Sequence, residues 1–185
     1  MKFLKFLPHC LIIGLLAMSV QFIEQACGSN YFVGWILFQG WALYFLAGCD
    51  VKGGAKSIAG WICGILTAAA IIIVGVKFKS GGDLMITCGM PLSVFLFATM
   101  AILFEKIKGL DFIPAWFLAA GAVFALASSG KSLIYSMLTV LISGAAGLLY
   151  GFVTVTLRTA YSKMVDAPAE DASEAVDGEV AGSAS

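Results

Sequence analysis

Charge is missing from most of this chain. Its 185 residues include 11 Lys and Arg and 11 Asp and Glu, yet six long apolar runs hold only one of them, Glu24. The runs are 7–27, 31–49, 57–76, 84–104, 112–127 and 132–157. Charged residues make up 12% of the chain, about half the usual share, and hydrophobic residues 61%. A soluble domain of this size could not hide that much apolar surface, so a soluble globular fold is excluded. Ion-coupled pumps need ionisable groups or broken backbone near the bilayer centre. Runs empty of charge argue against that class as well.

Metal-binding and catalytic side chains are equally thin. There is one histidine, His9, and five scattered cysteines, Cys10, Cys27, Cys49, Cys63 and Cys88, with no C-x-x-C pair. No ligand cluster forms, and Cys in apolar runs reads as a small hydrophobe. No nucleophile, base and orienting group can be assembled, so no enzyme and no cofactor is expected. Ser129-Gly130-Lys131-Ser132 echoes the end of a phosphate-binding loop, but Ala125 stands where that loop needs glycine, and an apolar helix precedes it rather than a strand. A net charge of zero suggests no nucleic-acid partner, although it averages a basic membrane part with an acidic C-terminal stretch.

What remains is a polytopic helical membrane protein. At about 1.5 Å per residue, about 20 residues cross the hydrocarbon core. Five runs reach or nearly reach that length, and the fifth does so with Leu110 and Ser128 counted. We therefore expect an all-α membrane protein with six transmembrane helices in a domain spanning 1–163. Its first partner is the lipid bilayer. If all six runs cross, Lys2, Lys5, Lys52, Lys56, Lys106, Lys108, Arg158 and Lys163 share one side, and Lys77, Lys79 and Lys131 the other. Basic residues favour the cytoplasm, so both termini are expected there. Lys2 and Lys5 before an apolar run resemble a signal peptide. However, Glu24 and Gln25 before Cys27 do not fit a lipoprotein cleavage site, and an uncleaved first helix is expected.

The connections are short, at 28–30, 50–56 with Gly53-Gly54, 77–83, 105–111 and 128–131, which implies antiparallel sequence neighbours. Six of the eleven acids, Asp166, Glu170, Asp171, Glu174, Asp177 and Glu179, fall in the last twenty residues. Residues 164–185 read as a disordered acidic tail, either solvating or interacting.

The two halves resemble each other. Trp41 precedes Lys56-Ser57 by fifteen residues, and Trp116 precedes Lys131-Ser132 by fifteen. The third run carries Gly60-x-x-x-Gly64-x-x-x-Ala68 and the sixth Ser143-x-x-x-Gly147-x-x-x-Gly151. These rows align with Trp41 and Trp116 once a gap is allowed in the loop. A repeat of three helices must cross in the opposite sense the second time, giving a 3+3 inverted repeat, a plan used by channels and transporters.

Several residues are candidates to line a pore or vestibule. Gln21, Glu24 and Gln25 share one helical face near one end of the first run; they form a polar vestibule or simply reach interfacial water. Lys56 and Lys131 are repeat equivalents, either symmetric basic entrances for anions or lysines that set topology. Pro114, with Phe112 and Trp116 beside it, either opens the fifth helix toward a lumen or sits harmlessly in the first turn. Gln39 lies near the middle of the second run and must hydrogen-bond a helix or line a pore. Gly60, Gly64, Ser143, Gly147 and Gly151 let helix backbones approach, within the monomer or in a homo-oligomer. Trp35, Trp41, Tyr44, Trp61 and Tyr150 read as interfacial or packing aromatics.

The run Gly40-Trp41-Ala42-Leu43-Tyr44-Phe45-Leu46-Ala47-Gly48 with Gly53-Gly54-Ala55-Lys56, together with Phe112-Ile113-Pro114, Gly121, Phe124-Ala125, Lys131 and a glycine-rich last helix, resembles a small bacterial inner-membrane family. It is catalogued as domain of unknown function 1097 (DUF1097), and the likeness covers most of 31–157. It implies a bacterial inner-membrane location and no established activity. The residues point to a passive channel or facilitator for a small solute, a small anion or neutral metabolite that the sequence does not name. The alternative is a non-conducting scaffold or accessory subunit.

Overall fold

A computed structural model describes residues 2–28 and 31–166, and the side chains of 6–28 and 31–165. Its elements are all helical: α1 (Lys2–Cys27), α2 (Gly34–Leu46), α3 (Val51–Lys79), α4 (Asp83–Leu103) with a 3-10 turn at Phe104–Lys106, α5 (Ile113–Ser128) and α6 (Leu133–Asp166). Most of the expected acidic tail, residues 167–185, lies outside the described residues. Stretches within α1, α3, α4 and α6 are long and apolar enough to cross a membrane, so the chain is a membrane protein.

The other two helices are short: α2 falls short of its expected span 31–49, whereas α5 has the length expected from 112–127, shifted by one residue. α2 has 13 residues and α5 has 16, giving lengths of about 20 and 24 Å against a hydrocarbon core of about 30 Å. The second apolar run covers 31–49, but its ends are not helical. Val33 is extended (φ −121°, ψ 113°), and Gly48 (φ 101°) and Cys49 (φ 61°) turn the chain through the left-handed region. Hydropathy counts such residues as spanning, although the backbone has already left the helix.

The second connection also differs from expectation. The stretch 50–56, read as a loop around Gly53-Gly54, is the first turn and a half of α3. Asp50 caps it by accepting the Gly53 N–H. Gly53 is buried, and a Cβ there would collide with the carbonyl of Ala47. These glycines therefore admit the end of α2 rather than loosen a turn.

The helices run alternately up and down, as their contacts show. Tyr150 of α6 meets Ser19 of α1 through their hydroxyls at 2.8 Å, and His9 packs edge-on against Tyr161 at 5.0 Å. The start of α1 and the end of α6 thus lie at the same end of the bundle. Yet the closest packing is mostly not between sequence neighbours. α2 lies along α6 and α5 along α3, both parallel; of the sequence neighbours, only α3 and α4 pack along their length. The α3–α4 contact is fixed by the buried Ser93, whose hydroxyl donates to the Ile71 carbonyl at 2.8 Å.

The α2–α6 seam is glycine on glycine. Gly40 faces Gly144, and Gly147 faces Leu37 and Gly40. On the α3–α5 seam Gly60 and Gly64 face Ala115, Trp116 and Ala119. Between the seams lies the core, with Ile36, Leu43, Trp61, Val123 and Val140 fully buried. Trp61, read from sequence only as an interfacial or packing aromatic, is at its centre. It is 0% exposed and donates its indole N–H to the Val140 carbonyl at 2.9 Å. Gly144 leaves room for that ring: a Cβ there would overlap the indole.

Candidate functional site

At the end of the bundle away from the termini, Gln21 and Glu24 sit against the start of α2. Gln21 Nε2 donates to Glu24 Oε2 at 3.3 Å. A Cβ on the buried Gly34 would lie 2.5 Å from that carboxylate oxygen and 3.1 Å from Gln21 Nε2. Glu24 is thus partly buried beside the positive end of α2, where a carboxylate gains about 0.3–1 kcal/mol. The entry of the chain into α2 draws on a second helix. Ser143 of α6 accepts the Val33 N–H at 2.9 Å and donates to the Tyr31 carbonyl at 3.4 Å. Ser143 therefore does more than leave room. It satisfies backbone groups that the short helix leaves open, as lipid would not.

Lys131 lies at the same end, with its ammonium over the Tyr135 ring at 5.3 Å, and Tyr135 in turn packs on Tyr31 at 5.3 Å. Lys56 is at the opposite end and is not an open cation. It forms a 2.7 Å ion pair with Asp111, whose other oxygen accepts the Gly109 N–H. The Lys56 hydrogen bond, with backbone N–H groups, holds the Asp111 carboxyl below the usual carboxylate range. The two lysines therefore occupy opposite ends in different chemical settings, one paired with a carboxylate and one with a ring.

Pro114 is exposed in the first turn of α5, where a missing N–H breaks no helical bond. Trp116 is buried, stacks on Phe104 at 6.0 Å and donates to the Leu110 carbonyl at 3.2 Å. Its own backbone carbonyl faces Gly64. Trp41 lies between Phe38 and Tyr150, and its indole N–H is buried without an acceptor. Gln39 Oε1 is buried without a donor, as are the hydroxyls of Ser57 and Thr139. Gly151 leaves room for Tyr44.

The candidate residues do not converge on one cavity. A crevice of about 200 Å³ between α3, α4 and α5 is lined by apolar side chains including Ile71, Val94, Ala98 and Phe124, and of the candidates only Trp116 reaches it. The sequence reading passed over Ser93 and the Trp61 hydrogen bond. Their signal was a polar atom in an apolar run, which must find a partner, but the pattern does not say which.

A family model, "Protein of unknown function (DUF1097)", matches residues 10–158. The chain belongs to this family. Comparison with curated proteins and with solved structures finds no match.

Proposed function

We propose that this DUF1097 protein is a passive channel or facilitator for a small solute, a small anion or neutral metabolite. The observation that carries the reading is the pair of short helices. α2 and α5 occupy the same place in the two halves, second of three. Each lies parallel to the third helix of the opposite half, α2 on α6 and α5 on α3. Short apolar segments in corresponding positions of inverted repeats mark the solute path in membrane transporters. The 3+3 inverted repeat is part of this proposal, and superposing α1–α3 on α4–α6 by rotation about an in-plane axis tests it. Transit is passive because the apolar runs offer no ionisable group at mid-bilayer to couple an ion, and it involves no chemical conversion.

One observation favours the second reading, a non-conducting scaffold or accessory subunit. The core around Trp61 is closed by Ile36, Leu43, Val123 and Val140. In the facilitator reading this is the shut conformation. The deciding experiment is flux into proteoliposomes across a panel of small acids, urea and glycerol. Flux of at least one solute above protein-free vesicles is expected; none for any of them leaves the scaffold.

We place the protein in the bacterial inner membrane with both termini cytoplasmic. The support is the eight basic residues at the end with the termini against three at the other. A C-terminal reporter active only outside the cytoplasm should stay silent.

A further inference from the structure

At the end of the bundle where α1 begins and α6 ends, α1, α6 and the α2–α3 turn border a pocket of about 340 Å³. It is lined by His9, Cys49, Val155, Arg158, Thr159 and Ser162. A water's share of liquid volume is about 30 Å³, so the space admits a polyatomic group. Its walls carry more polar groups than the crevice beside α4, and its one permanent charge is positive.

That charge has no carboxylate partner among the described residues. Lys56–Asp111 is the only ion pair among the described residues. Asp50, the acid next to Cys49, already accepts the Gly53 N–H. Arg158 Nε and His9 Nδ1 are both buried without hydrogen-bond partners. Arg158 is half-buried with its Nε covered, and a guanidinium cannot shed its proton, so an anion or a trapped water would complete its bonding. The hydroxyls along α6 point the same way. Thr154 and Thr156 return theirs to the carbonyls of Tyr150 and Phe152, one turn back. Among the described residues, Thr159 and Ser162 make no such bond, which leaves both hydroxyls available to the pocket. The His9 ring is held in place by Tyr161. Arg158 lies about two turns before the end of α6 at Asp166, so the negative helix terminus, felt over the last turn, does not oppose an anion here.

We propose that this pocket binds a phosphate group, from an anionic phospholipid headgroup or a soluble phosphate compound. The Arg158 fork takes two phosphate oxygens, the geometry guanidinium is suited to. Thr159, Ser162 and His9 supply the remaining donors. Basic pockets between helices at a membrane surface are where phospholipid headgroups bind. The proposal is independent of whether the bundle conducts.

The test uses the full chain in nanodiscs of equal phosphatidylglycerol and phosphatidylcholine. One arm counts lipid retained per protein by native mass spectrometry, and the other follows melting temperature as inorganic phosphate is added. Arg158→Gln is compared with Arg158→Lys and with Thr159→Val/Ser162→Ala, each checked for a monodisperse, helical product. If the source is a headgroup, wild type retains phosphatidylglycerol over phosphatidylcholine. Arg158→Gln then lowers that retention about tenfold, the worth of one charge-assisted hydrogen bond, and the other variants fall between. If the source is soluble, inorganic phosphate raises the melting temperature of wild type and not of Arg158→Gln. Equal behaviour of wild type and Arg158→Gln in both arms overturns the proposal. So does a response to neither source combined with a lower melting temperature when Glu170, Asp171, Glu174, Asp177 and Glu179 are made neutral. That result would seat the chain's own carboxylates in the pocket.

Discussion

Along the α2–α6 seam both helices contribute glycine, whereas along the α3–α5 seam only α3 does, and alanine and tryptophan face it. Where Gly40, Gly144 and Gly147 meet, one backbone rests on the other. A Cβ on Gly147 would lie 2.8 Å from Trp41 N and 2.9 Å from Gly40 Cα. At Gly60 the nearest atoms are Ala115 Cβ at 3.0 Å, the Phe112 carbonyl oxygen at 3.1 Å and Trp116 Cδ1 at 3.1 Å. Lipid tails are as apolar as leucine, so burying apolar area does little to join helices in a bilayer, and close van der Waals contact must do it. The first seam achieves this with a backbone that cannot retreat. The second achieves it partly with side chains that can.

The largest expected effect follows from that difference. Gly147→Ala should destabilise the folded protein by about 3 kcal/mol, the upper range for overpacking, measured as unfolding free energy in detergent or bicelles. Trp61→Phe should come next, at about 2 kcal/mol. It leaves a gap and removes the indole bond to Val140 in a buried site, and the loss of unfolding free energy should persist when Gly60 is also changed. Gly60→Ala should cost about 1 kcal/mol or less, because a shift of a few tenths of an ångström accommodates it and alanine favours the helix. A cost for Gly60→Ala equal to that of Gly147→Ala would erase the contrast between the seams. Gly121→Ala is the control. Nothing lies within 4 Å of that position, so the change should be neutral or stabilising by up to about 1 kcal/mol.

The smallest effect belongs to the exposed Lys56–Asp111 pair, away from both seams. The Asp111 carboxyl titrates below its ordinary value in the folded state. Its contribution is therefore present above the unfolded value of about 3.9 and is lost as pH falls through the folded one. Melting temperatures of wild type and Lys56→Gln, followed from neutral pH down to about pH 3, should converge at the acid end. The difference at neutral pH should shrink with added salt.

Much of the fold was legible because the bilayer constrains it strongly. Six apolar runs, with one charge among them, became six helices, and the split of basic residues, eight against three, matches the two ends on which the helices place them. Helix ends were less legible. Hydropathy cannot see that Val33 is extended or that Gly48 and Cys49 turn, so α2 came out shorter than its apolar run. Gly53-Gly54 read as a loop because glycine serves both turns and close packing, and only the neighbouring Ala47 carbonyl distinguishes the two. The candidate site was legible by type rather than by place. Glu24 was marked as the one charge in an apolar run, but its seat at the start of α2 depends on Gly34. Lys56 and Lys131 looked equivalent until Asp111 and Tyr135 gave them different partners. The pocket around Arg158 had no sequence signal, because His9, Cys49 and Arg158 are far apart along the chain.

By itself the sequence determined that this protein lives in a membrane, how many helices it has and which loops share an end. Each of these follows from local hydropathy, helical rise and charge, quantities that a single segment carries alone. The tertiary structure decided which helices touch. Short connections set neighbouring helices antiparallel, but apart from α3 on α4 the most extensive packing is α2 on α6 and α3 on α5, where glycines let backbones meet. That choice is made between segments about a hundred residues apart for α2 and α6, and about fifty apart for α3 and α5. It depends on shape matched across a contact, which no single stretch of sequence records.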